Sequence, residues 1–356
     1  MFVLDSHCDT PSQILRLRDL AIDNDHAHVD FPKLRKGGVD GAFFALYVPA
    51  SYDGDPEAAF AYARKLLEGV KRTVGGNEDK AAFCVSASQA LENKEKGLFS
   101  VFLGLENGAP VGNDLERLAW FHQEGIRYVT LCHSGNNQIC DSCAPASERW
   151  NGLSPFGREM VKEMNRIGML VDVSHISDAS FLDVLECSSK PVVATHSCCR
   201  ALADHPRNMT DSMIRLLADA GGVIQINFYP LFLDSSFKSV LSCSGIAERG
   251  ERIENEFIAD PSNFEKRAAW NRIQDELQAL RRPSFRLIAD HIDHVVEIAG
   301  IDHVGIGSDF DGIEVTPEGM DDISMLPRLF DELRGRGYSD SDLAKIAGEN
   351  FFRILG

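Results

Sequence analysis

The chain has 356 residues, of which 44% are hydrophobic and 25% are charged, the composition of an ordinary globular protein with a sizeable core. Its formal net charge of −18 repels phosphate backbones and anionic lipids, so we expect no nucleic acid and no membrane surface as partners, and small molecules instead. The nine cysteines are an odd number in a large chain, which indicates reduced thiols and a cytoplasmic location.

Eight short apolar runs alternate with helical patterns along the chain. The runs are FVLDSHCDT at 2–10, GAFFALYVP at 41–49, SVFLGLENG at 100–108, RYVTLCHSG at 127–135, MLVDVSHIS at 169–177, PVVATHS at 191–197, GVIQINFYP at 222–230 and HVGIGSDFDG at 303–312. Nearly continuous apolar strands that alternate with helices are typical of a parallel sheet buried on both faces. Eight such units over this length predict an α/β protein with a closed (β/α)8 TIM barrel.

Two of the intervening helices have a clear start and stop in the sequence. One begins at Ser154-Pro155 and ends at Gly168, and the other runs from Thr210 to Gly221. Their predicted apolar stripes are Met160, Val161, Met164 and Ile167 in the first helix, and Met213, Ile214, Leu216 and Leu217 in the second.

The segment 231–286, after the seventh predicted strand, is longer and more charged than the other connections. We interpret it as an elaborated loop with helices over the barrel mouth rather than as a second domain. The sequence therefore predicts a single domain over residues 1–356.

Acidic residues and histidines stand at the carboxyl ends of six predicted strands, where the active sites of β/α barrels lie. They are His7 and Asp9 after strand 1, Glu106 after strand 3, His133 after strand 4, His175 after strand 5, His196 after strand 6 and Asp309 after strand 8. Because side chains alternate along a strand, Asp5 shares the face of His7 one layer deeper, where it could hydrogen-bond a ligand, and Cys8 points away.

This set of side chains predicts a metal centre. Imidazole and carboxylate ligands suit Zn²⁺, and the supply exceeds what one ion needs. Two ions about 3.5–4 Å apart, sharing a carboxylate and a hydroxide, would use the set well, with Glu106 as the bridge. Each residue taken alone has a structural alternative: a strand-end histidine is more often a hydrogen-bonded structural group, and Asp309 could be a turn carboxylate.

The remaining histidines and the closely spaced cysteines do not fit this pattern. Cys140-x-x-Cys143 is interpreted as a loop with incidental thiols, because no second pair accompanies it. The other histidines are interpreted as surface or packing residues: His26, His28, His122, His205, His291, His294 and His303.

Seven segments in this order carry a resemblance that spans nearly the whole chain. They are DSHCDT, GLENG, LCHSGNN, DVSHIS, ATHS, RNMTD and GIGSDFDG. Together they closely resemble the membrane (renal-type) dipeptidases and their bacterial relatives, within the metal-dependent amidohydrolase group. The resemblance implies a zinc-dependent dipeptidase with two Zn²⁺ per subunit, in which a hydroxide that bridges the metals attacks the peptide bond.

The resemblance also implies a role for each site residue. His7 and Asp9 would hold the first metal, His175 and His196 the second, and Glu106 would bridge both. Asp309 would move the proton, and His133 would contact the scissile carbonyl. Arg207 would bind the carboxylate at the carboxyl terminus of the substrate, and the adjacent Asn208 could assist, although from the sequence alone a surface salt bridge is about equally good for Arg207.

Three functions compete at this point. The first is a dipeptidase acting on unblocked dipeptides, including those with a carboxyl-terminal D-residue; the second is a related binuclear hydrolase of another amide, a lactone or an ester. The third is an inactive binding protein, which the complete ligand set disfavours. Animal members carry a secretion signal and a lipid anchor, whereas the first apolar run here spans only Phe2 to Leu4, so we expect a cytoplasmic enzyme. Dimers are common among similar proteins, so a homodimer stays open.

Overall fold

The structure is a computed structural model that describes residues 1–145 and 147–355. Within these residues, nine strands pair in parallel in one sheet. They are β1 (Leu4–Cys8), β2 (Gly41–Tyr47), β3 (Ala81–Phe83), β4 (Phe99–Glu106), β5 (Ile126–Thr130), β6 (Leu170–Asp172), β7 (Val193–Ser197), β8 (Val223–Ile226) and β9 (Val304–Ile306).

Eight of these strands form the barrel, in the order β1-β2-β4-β5-β6-β7-β8-β9. The last strand approaches the first beyond β9, where Cys8 and Phe310 form a parallel bridge. Two backbone hydrogen bonds join the same segments, from Asp309 to the carbonyl of His7 at 3.0 Å and from Asp9 to the carbonyl of Phe310 at 2.9 Å. The predicted (β/α)8 barrel is confirmed; six of its eight strands lie wholly in a predicted run, and β4 and β5 each begin one residue before theirs.

The short strand β3 was not predicted. It pairs with β4 beside β2, outside the barrel path, through Ala81, Ala82 and Phe83. Residues 81–85 form the apolar run AAFCV, but Phe83 is exposed and only Ala81 of the strand is buried, so β3 is an edge strand outside the barrel.

Sixteen α-helices lie in the described residues. They are α1 (Thr10–Leu15), α2 (Phe31–Gly37), α3 (Pro56–Gly75), α4 (Ala87–Glu95), α5 (Leu115–Gln123), α6 (Pro155–Ile167), α7 (Asp178–Cys187), α8 (Asp211–Asp219), α9 (Pro230–Leu233), α10 (Phe237–Ser244), α11 (Ile246–Ala259), α12 (Phe264–Gln278), α13 (Arg286–Ala299), α14 (Leu326–Gly335), α15 (Asp340–Ala344) and α16 (Asn350–Leu355). None of them combines the length and the hydropathy needed to cross a bilayer.

The two helices with clear sequence signals are α6 and α8, and their starts are confirmed. The side chain of Ser154 accepts a hydrogen bond from the backbone of Gly157, and α6 ends at Gly168 with a φ of 79°. Thr210 caps α8 in the same way. In the predicted apolar stripe of α8, Met213, Ile214 and Leu217 are buried, whereas Leu216 is 41% exposed.

The segment 231–286 contains α10, α11 and α12. Six of its buried apolar side chains form, with Val315, a cluster separate from the main core: Phe237, Ile246, Phe257, Trp270, Ile273 and Leu277. Phe232, Leu233 and Phe285 belong to the main core. Side chains of α11 and α12 line the cavity at the carboxyl ends of the barrel strands. Helices over the barrel mouth were predicted for this segment.

A glycine in β4 makes room for an aromatic side chain inside the barrel. A Cβ atom at Gly104 would lie 2.2 Å from the ring of Tyr128 on β5. Any larger residue would displace this buried ring, whose hydroxyl reaches His7 on β1. The packing of the barrel interior therefore determines the position of a site residue.

Candidate active site

Glu106, the last residue of β4, lies at the centre of the predicted cluster. Its Oε1 lies 3.1 Å from Nε2 of His175 and 3.4 Å from Nε2 of His196. Its Oε2 lies 3.4 Å from Nε2 of His7. Each oxygen of this one carboxylate thus faces a different group of imidazoles.

His7 and Asp9 occupy the end of β1 and the residue before α1. Nε2 of His7 lies 3.7 Å from Oδ2 of Asp9. Both residues are buried, yet His7 Nε2 and Asp9 Oδ1 have no hydrogen-bond partner among the described residues. Unpaired buried polar atoms are costly, so these two are suited to hold a cation.

Three overlapping groups of side chains have ligand atoms close enough together to share an ion. One group contains His7, Asp9 and Glu106, the second contains Glu106, His133 and His175, and the third contains His7, His196 and Asp309. The structure therefore brings together all seven strand-end residues that the sequence singled out.

Burial determines the protonation of the histidines. Burial, together with the charge of Arg207, lowers the pKa of His175 well below its ordinary value, and burial also lowers the pKa of His196. Both rings are therefore neutral at neutral pH, so each has a nitrogen lone pair to offer as a ligand.

The pKa values of Glu106 and Asp9 are shifted in opposite directions. Burial works against the charged form of Glu106, but the imidazoles of His7 and His175 outweigh it and hold the pKa of Glu106 well below its usual range. Burial, and then the charge of Glu106, raises the pKa of Asp9 well above its usual range. Two buried carboxylates crowded in this way are stabilised together by a bound cation.

Hydrogen bonds behind the cluster orient two of the imidazoles. Thr195 Oγ1 lies 2.8 Å from Nδ1 of His196 and donates to Asp172 at 2.6 Å. The hydroxyl of Tyr128 lies 2.8 Å from Nδ1 of His7. In both rings Nε2 therefore faces Glu106 while Nδ1 faces a fixed partner, the arrangement usual for ligating histidines.

Two site residues adopt the left-handed backbone conformation. His175 has a φ of 71° and Asp309 has a φ of 63°. This region is uncommon for residues other than glycine and is often found at functional sites. The side chain of Asp309 accepts a hydrogen bond of 2.8 Å from Asn227, which holds one carboxylate oxygen in place.

A cavity of about 520 Å³ opens above the cluster. Its wall includes His133, which is edge-on to the ring of Tyr47 with centroids 4.8 Å apart. Arg207 also lines the cavity; its guanidinium lies 5.3 Å from the ring of Phe232 and donates to the carbonyl of His196 at 3.0 Å. Nε of Arg207 is buried and has no partner in the part of the chain that the structure describes.

Asn208 is the one predicted substrate contact that lies apart from the cavity wall. Its amide donates to the carbonyls of Ala203 at 2.8 Å and Phe232 at 2.9 Å. These bonds fix the loop that carries Arg207, and the predicted contact of Asn208 with substrate stays a prediction.

The structure also places Asp5, His26 and His28 near the site. Asp5 accepts from the backbone of His7 at 3.3 Å and from the backbone of Ser308 at 2.8 Å, so the predicted hydrogen bond to His7 is present, through the backbone of His7 and not through its ring. His26 and His28, interpreted as surface or packing residues, both line the cavity. Their loop precedes α2 and is not at a strand end, so the strand-end rule did not find them.

Comparison with known proteins identifies the family of the chain. A model of the membrane dipeptidase family, peptidase family M19, matches residues 1–356. The chain is 32% identical over 337 residues to dipeptidase verJ of Clonostachys rogersoniana, which is 92% of this chain and 75% of that protein. Dipeptidase aclJ of Aspergillus oryzae is also 32% identical, over 340 residues, which is 93% of this chain and 70% of that protein.

Two of the solved structures that resemble this chain are also peptidases. The probable dipeptidase PvdM from Pseudomonas aeruginosa has a TM-score of 0.84 at 26% identity, over 100% of this chain and 95% of that chain. A metallo peptidase from Rhodobacter sphaeroides, liganded with a phosphinate mimic of the dipeptide L-Ala-D-Ala, has a TM-score of 0.80 at 25% identity, over 100% of this chain and 98% of that chain. The chain therefore belongs to the membrane dipeptidase family, peptidase family M19, and is a metallopeptidase that hydrolyses the peptide bond of dipeptides.

Proposed function

We propose that this protein is a zinc-dependent dipeptidase with two metal ions per subunit. His7 and Asp9 would hold one ion, His175 and His196 the other, and Glu106 would contact both. The observation that carries this proposal is the carboxylate of Glu106, with Oε2 3.4 Å from His7 and Oε1 3.1 Å from His175. The unpartnered buried atoms of His7 and Asp9 support it.

The donor set favours zinc over harder cations. Imidazole suits Zn²⁺, whereas magnesium and calcium prefer sites made of oxygen ligands alone. Two such ions, when bound, activate water and polarise a carbonyl group.

The side chains around the cluster supply the other steps of hydrolysis. Burial holds the pKa of His133 below its ordinary value, so the neutral ring can donate its N–H to the oxyanion that forms from the scissile carbonyl. Asp309, fixed by Asn227, would accept the proton of the attacking water and deliver it to the departing amine.

Arg207 is proposed to bind the terminal carboxylate of the substrate. Its planar fork suits a carboxylate, and its Nε lacks a partner among the described residues. The related Rhodobacter sphaeroides enzyme binds a mimic of L-Ala-D-Ala, which supports L,D-dipeptides as substrates here.

The cellular location of the enzyme is proposed from the state of its cysteines. All nine cysteines are free in the described residues, which favours a reducing cytoplasm. A homodimer and a single domain over residues 1–356 stay predictions.

Hydrolysis of paired substrates tests the proposal. Enzyme reconstituted with zinc is expected to cleave L-Ala-D-Ala and to cleave its carboxyl-terminal amide at least about tenfold more slowly, because the charge-assisted bond to Arg207 is lost. Metal analysis of the same sample should give two zinc ions per chain. Arg207→Lys keeps the charge without the fork and should lose most of the discrimination. Equal rates on both substrates would remove Arg207 from this role, and one ion per chain would overturn the binuclear centre.

A further inference from the structure

Two contacts hold the guanidinium of Arg207 in the wall of the active-site cavity. Nη2 donates to the carbonyl of His196 at 3.0 Å, and the guanidinium carbon lies over the ring of Phe232, 5.3 Å from its centroid. Phe232 belongs to α9, which follows β8. A cation over an aromatic face is attracted by the negative charge of that face, and this attraction uses none of the N–H donors of the guanidinium.

Arg200, in the same connection between β7 and α8, is held in a different way. Its Nη1 and Nη2 donate to the two carboxylate oxygens of Asp178 at 2.7 Å and 2.8 Å. A guanidinium fork that is closed by a protein carboxylate has little left for a substrate carboxylate. Nε of Arg207, by contrast, is buried and has no partner among the described residues. The contact with a ring therefore holds Arg207 while it leaves the fork open to a ligand.

The ring of Phe232 is itself fixed by its neighbours. The side chain of Asn208 donates to the carbonyl of Phe232 at 2.9 Å, and the ring of Tyr229 meets that of Phe232 edge-on with centroids 5.0 Å apart. The ring of His205 lies 4.7 Å from that of Phe232. Nδ1 of His205 accepts a hydrogen bond of 3.2 Å from the backbone N–H of Arg207. His205 and Asn208 thus tie α9 to the backbone that carries Arg207.

His205 supports this arrangement as a neutral ring. Burial, together with the charge of Arg207, lowers the pKa of His205 to about 4. The ring is therefore uncharged at neutral pH, and its Nδ1 has the lone pair that accepts from the backbone. It packs against Phe232 without placing a second positive charge beside Arg207.

We propose that Phe232 is a positioning residue, which holds the guanidinium of Arg207 in place for the terminal carboxylate of the substrate. An arginine side chain without such a contact has several rotamers, and binding the carboxylate would then cost the entropy of fixing one of them. The ring fixes the side chain before the substrate binds. This inference rests on the proposed function, because it uses Arg207 as the group that binds the carboxylate.

A substrate and its carboxyl-terminal amide test the proposal, because only the free acid has a charge for Arg207 to bind. We expect Phe232→Leu to lower the ratio of kcat/KM for L-Ala-D-Ala to that for its amide by about threefold to tenfold. The loss should come from a higher KM for L-Ala-D-Ala, with kcat and the hydrolysis of the amide little changed. Phe232→Tyr keeps the ring and should retain the wild-type ratio.

The matched control is Phe285→Leu. Phe285 is 8% exposed and Phe232 is 9% exposed. Phe285 also lies under an arginine, since the guanidinium carbon of Arg328 is 4.9 Å from its ring centroid. Neither Phe285 nor Arg328 lines the active-site cavity, so this variant should keep the wild-type ratio.

A fluorinated phenylalanine incorporated in place of Phe232 gives a second test, which decides the matter if Phe232→Leu does not fold. Fluorination keeps the shape of the ring and removes the negative charge of its face, so the ratio should fall as in Phe232→Leu. A wild-type ratio in either of these variants, or an equal fall in Phe285→Leu, would overturn the positioning role. Equal rates of the wild-type enzyme on acid and amide would instead overturn the role of Arg207 in the proposed function.

Discussion

The hydroxyl oxygen of Thr195 lies 2.8 Å from Nδ1 of His196 and cannot donate to it, because the Thr195 hydroxyl donates to Asp172 at 2.6 Å. Thr195 therefore accepts a hydrogen bond from the Nδ1–H of His196. This fixes the neutral tautomer in which Nε2 has the lone pair, and Nε2 is the atom that faces Glu106 at 3.4 Å.

Replacing the hydroxyl of Thr195 should weaken both the fold and the metal site. Thr195→Val keeps the β-branched shape but leaves Nδ1–H of His196 and one oxygen of Asp172 without this partner. We expect the free energy of unfolding of the metal-free protein to fall by about 1–3 kcal/mol. Metal affinity should fall by about 10–100-fold, as for other residues that orient a ligating histidine. Urea unfolding and chelator competition measure the two effects.

Thr195→Ser is the matched control, because it keeps the hydroxyl and loses only a methyl group. It should retain most of the metal affinity. A valine variant that binds zinc as tightly as the serine variant would show that the hydrogen bond to His196 does not orient the ring.

Tyr128 orients the other side of the cluster. Its hydroxyl contacts Nδ1 of His7, and burial raises the pKa of Tyr128 well above its ordinary value, so the phenol stays neutral. Tyr128→Phe should therefore reduce zinc affinity by about 10–100-fold while the ring still fills the space beside Gly104. Tyr62→Phe, at a half-buried tyrosine of α3, is the control for loss of a hydroxyl. Unchanged chelator competition in Tyr128→Phe would contradict this role.

The positions of the strand-end residues were predictable from the sequence, because the parallel strands of a barrel follow one another around it in chain order. Parallel strands that close into a barrel bring all their carboxyl ends to one mouth, so His7, Glu106 and His196 had to meet once eight strands were counted. Periodicity and caps located the strands, and they also located α6 and the start of α8.

The residues that orient the cluster could not be predicted in this way. Tyr128 lies 121 positions from His7. Its place in an apolar run indicates only an ordinary core residue. Asp172 and Thr195 come before His175 and His196 in the same two apolar runs, and nothing in the sequence distinguishes them from buried polar residues of the strands. Helices α11 and α12 also line a smaller cavity beside α1, and no pattern within one segment of the sequence specifies that they pack there.

Asp309 should be needed for turnover and not for metal retention. Asp309→Asn keeps the side-chain shape, and asparagine tolerates the φ of 63° at this position. Without a group to carry the proton, kcat should fall by about 10²–10⁴-fold while KM changes little. Steady-state kinetics with L-Ala-D-Ala and metal analysis of the same sample check both parts.

The control for Asp309 is Asp302→Asn, at an exposed acid that pairs with Lys345 by an ion pair of 2.6 Å. It should retain full turnover. Loss of zinc in Asp309→Asn would identify Asp309 as a ligand, in keeping with its position near His7 and His196, and would contradict a role confined to the proton.

Asp311 joins α1 to the loop of His28 as a buried carboxylate. It accepts from Thr10 at 2.9 Å, from Arg18 at 2.6 Å and from the backbone of His28 at 3.1 Å. Burial works against its charged form, but the charge of Arg18 outweighs burial and lowers the pKa of Asp311. A carboxyl whose pKa is lowered by folding stabilises the protein above its unfolded pKa of about 3.9, and this stabilisation is lost as the pH falls through the folded value.

Asp311→Asn is therefore expected to lower the free energy of unfolding by about 1–3 kcal/mol at neutral pH, and by progressively less below about pH 4. The substitution keeps the side-chain shape and tolerates the φ of 67°, so the difference reports the charge and its hydrogen bonds. Urea unfolding of both proteins across this range gives the difference at each pH, with Asp219→Asn at the exposed end of α8 as the control. A difference that does not shrink in acid would contradict this account, because protonated Asp311 no longer carries the charge that attracts Arg18.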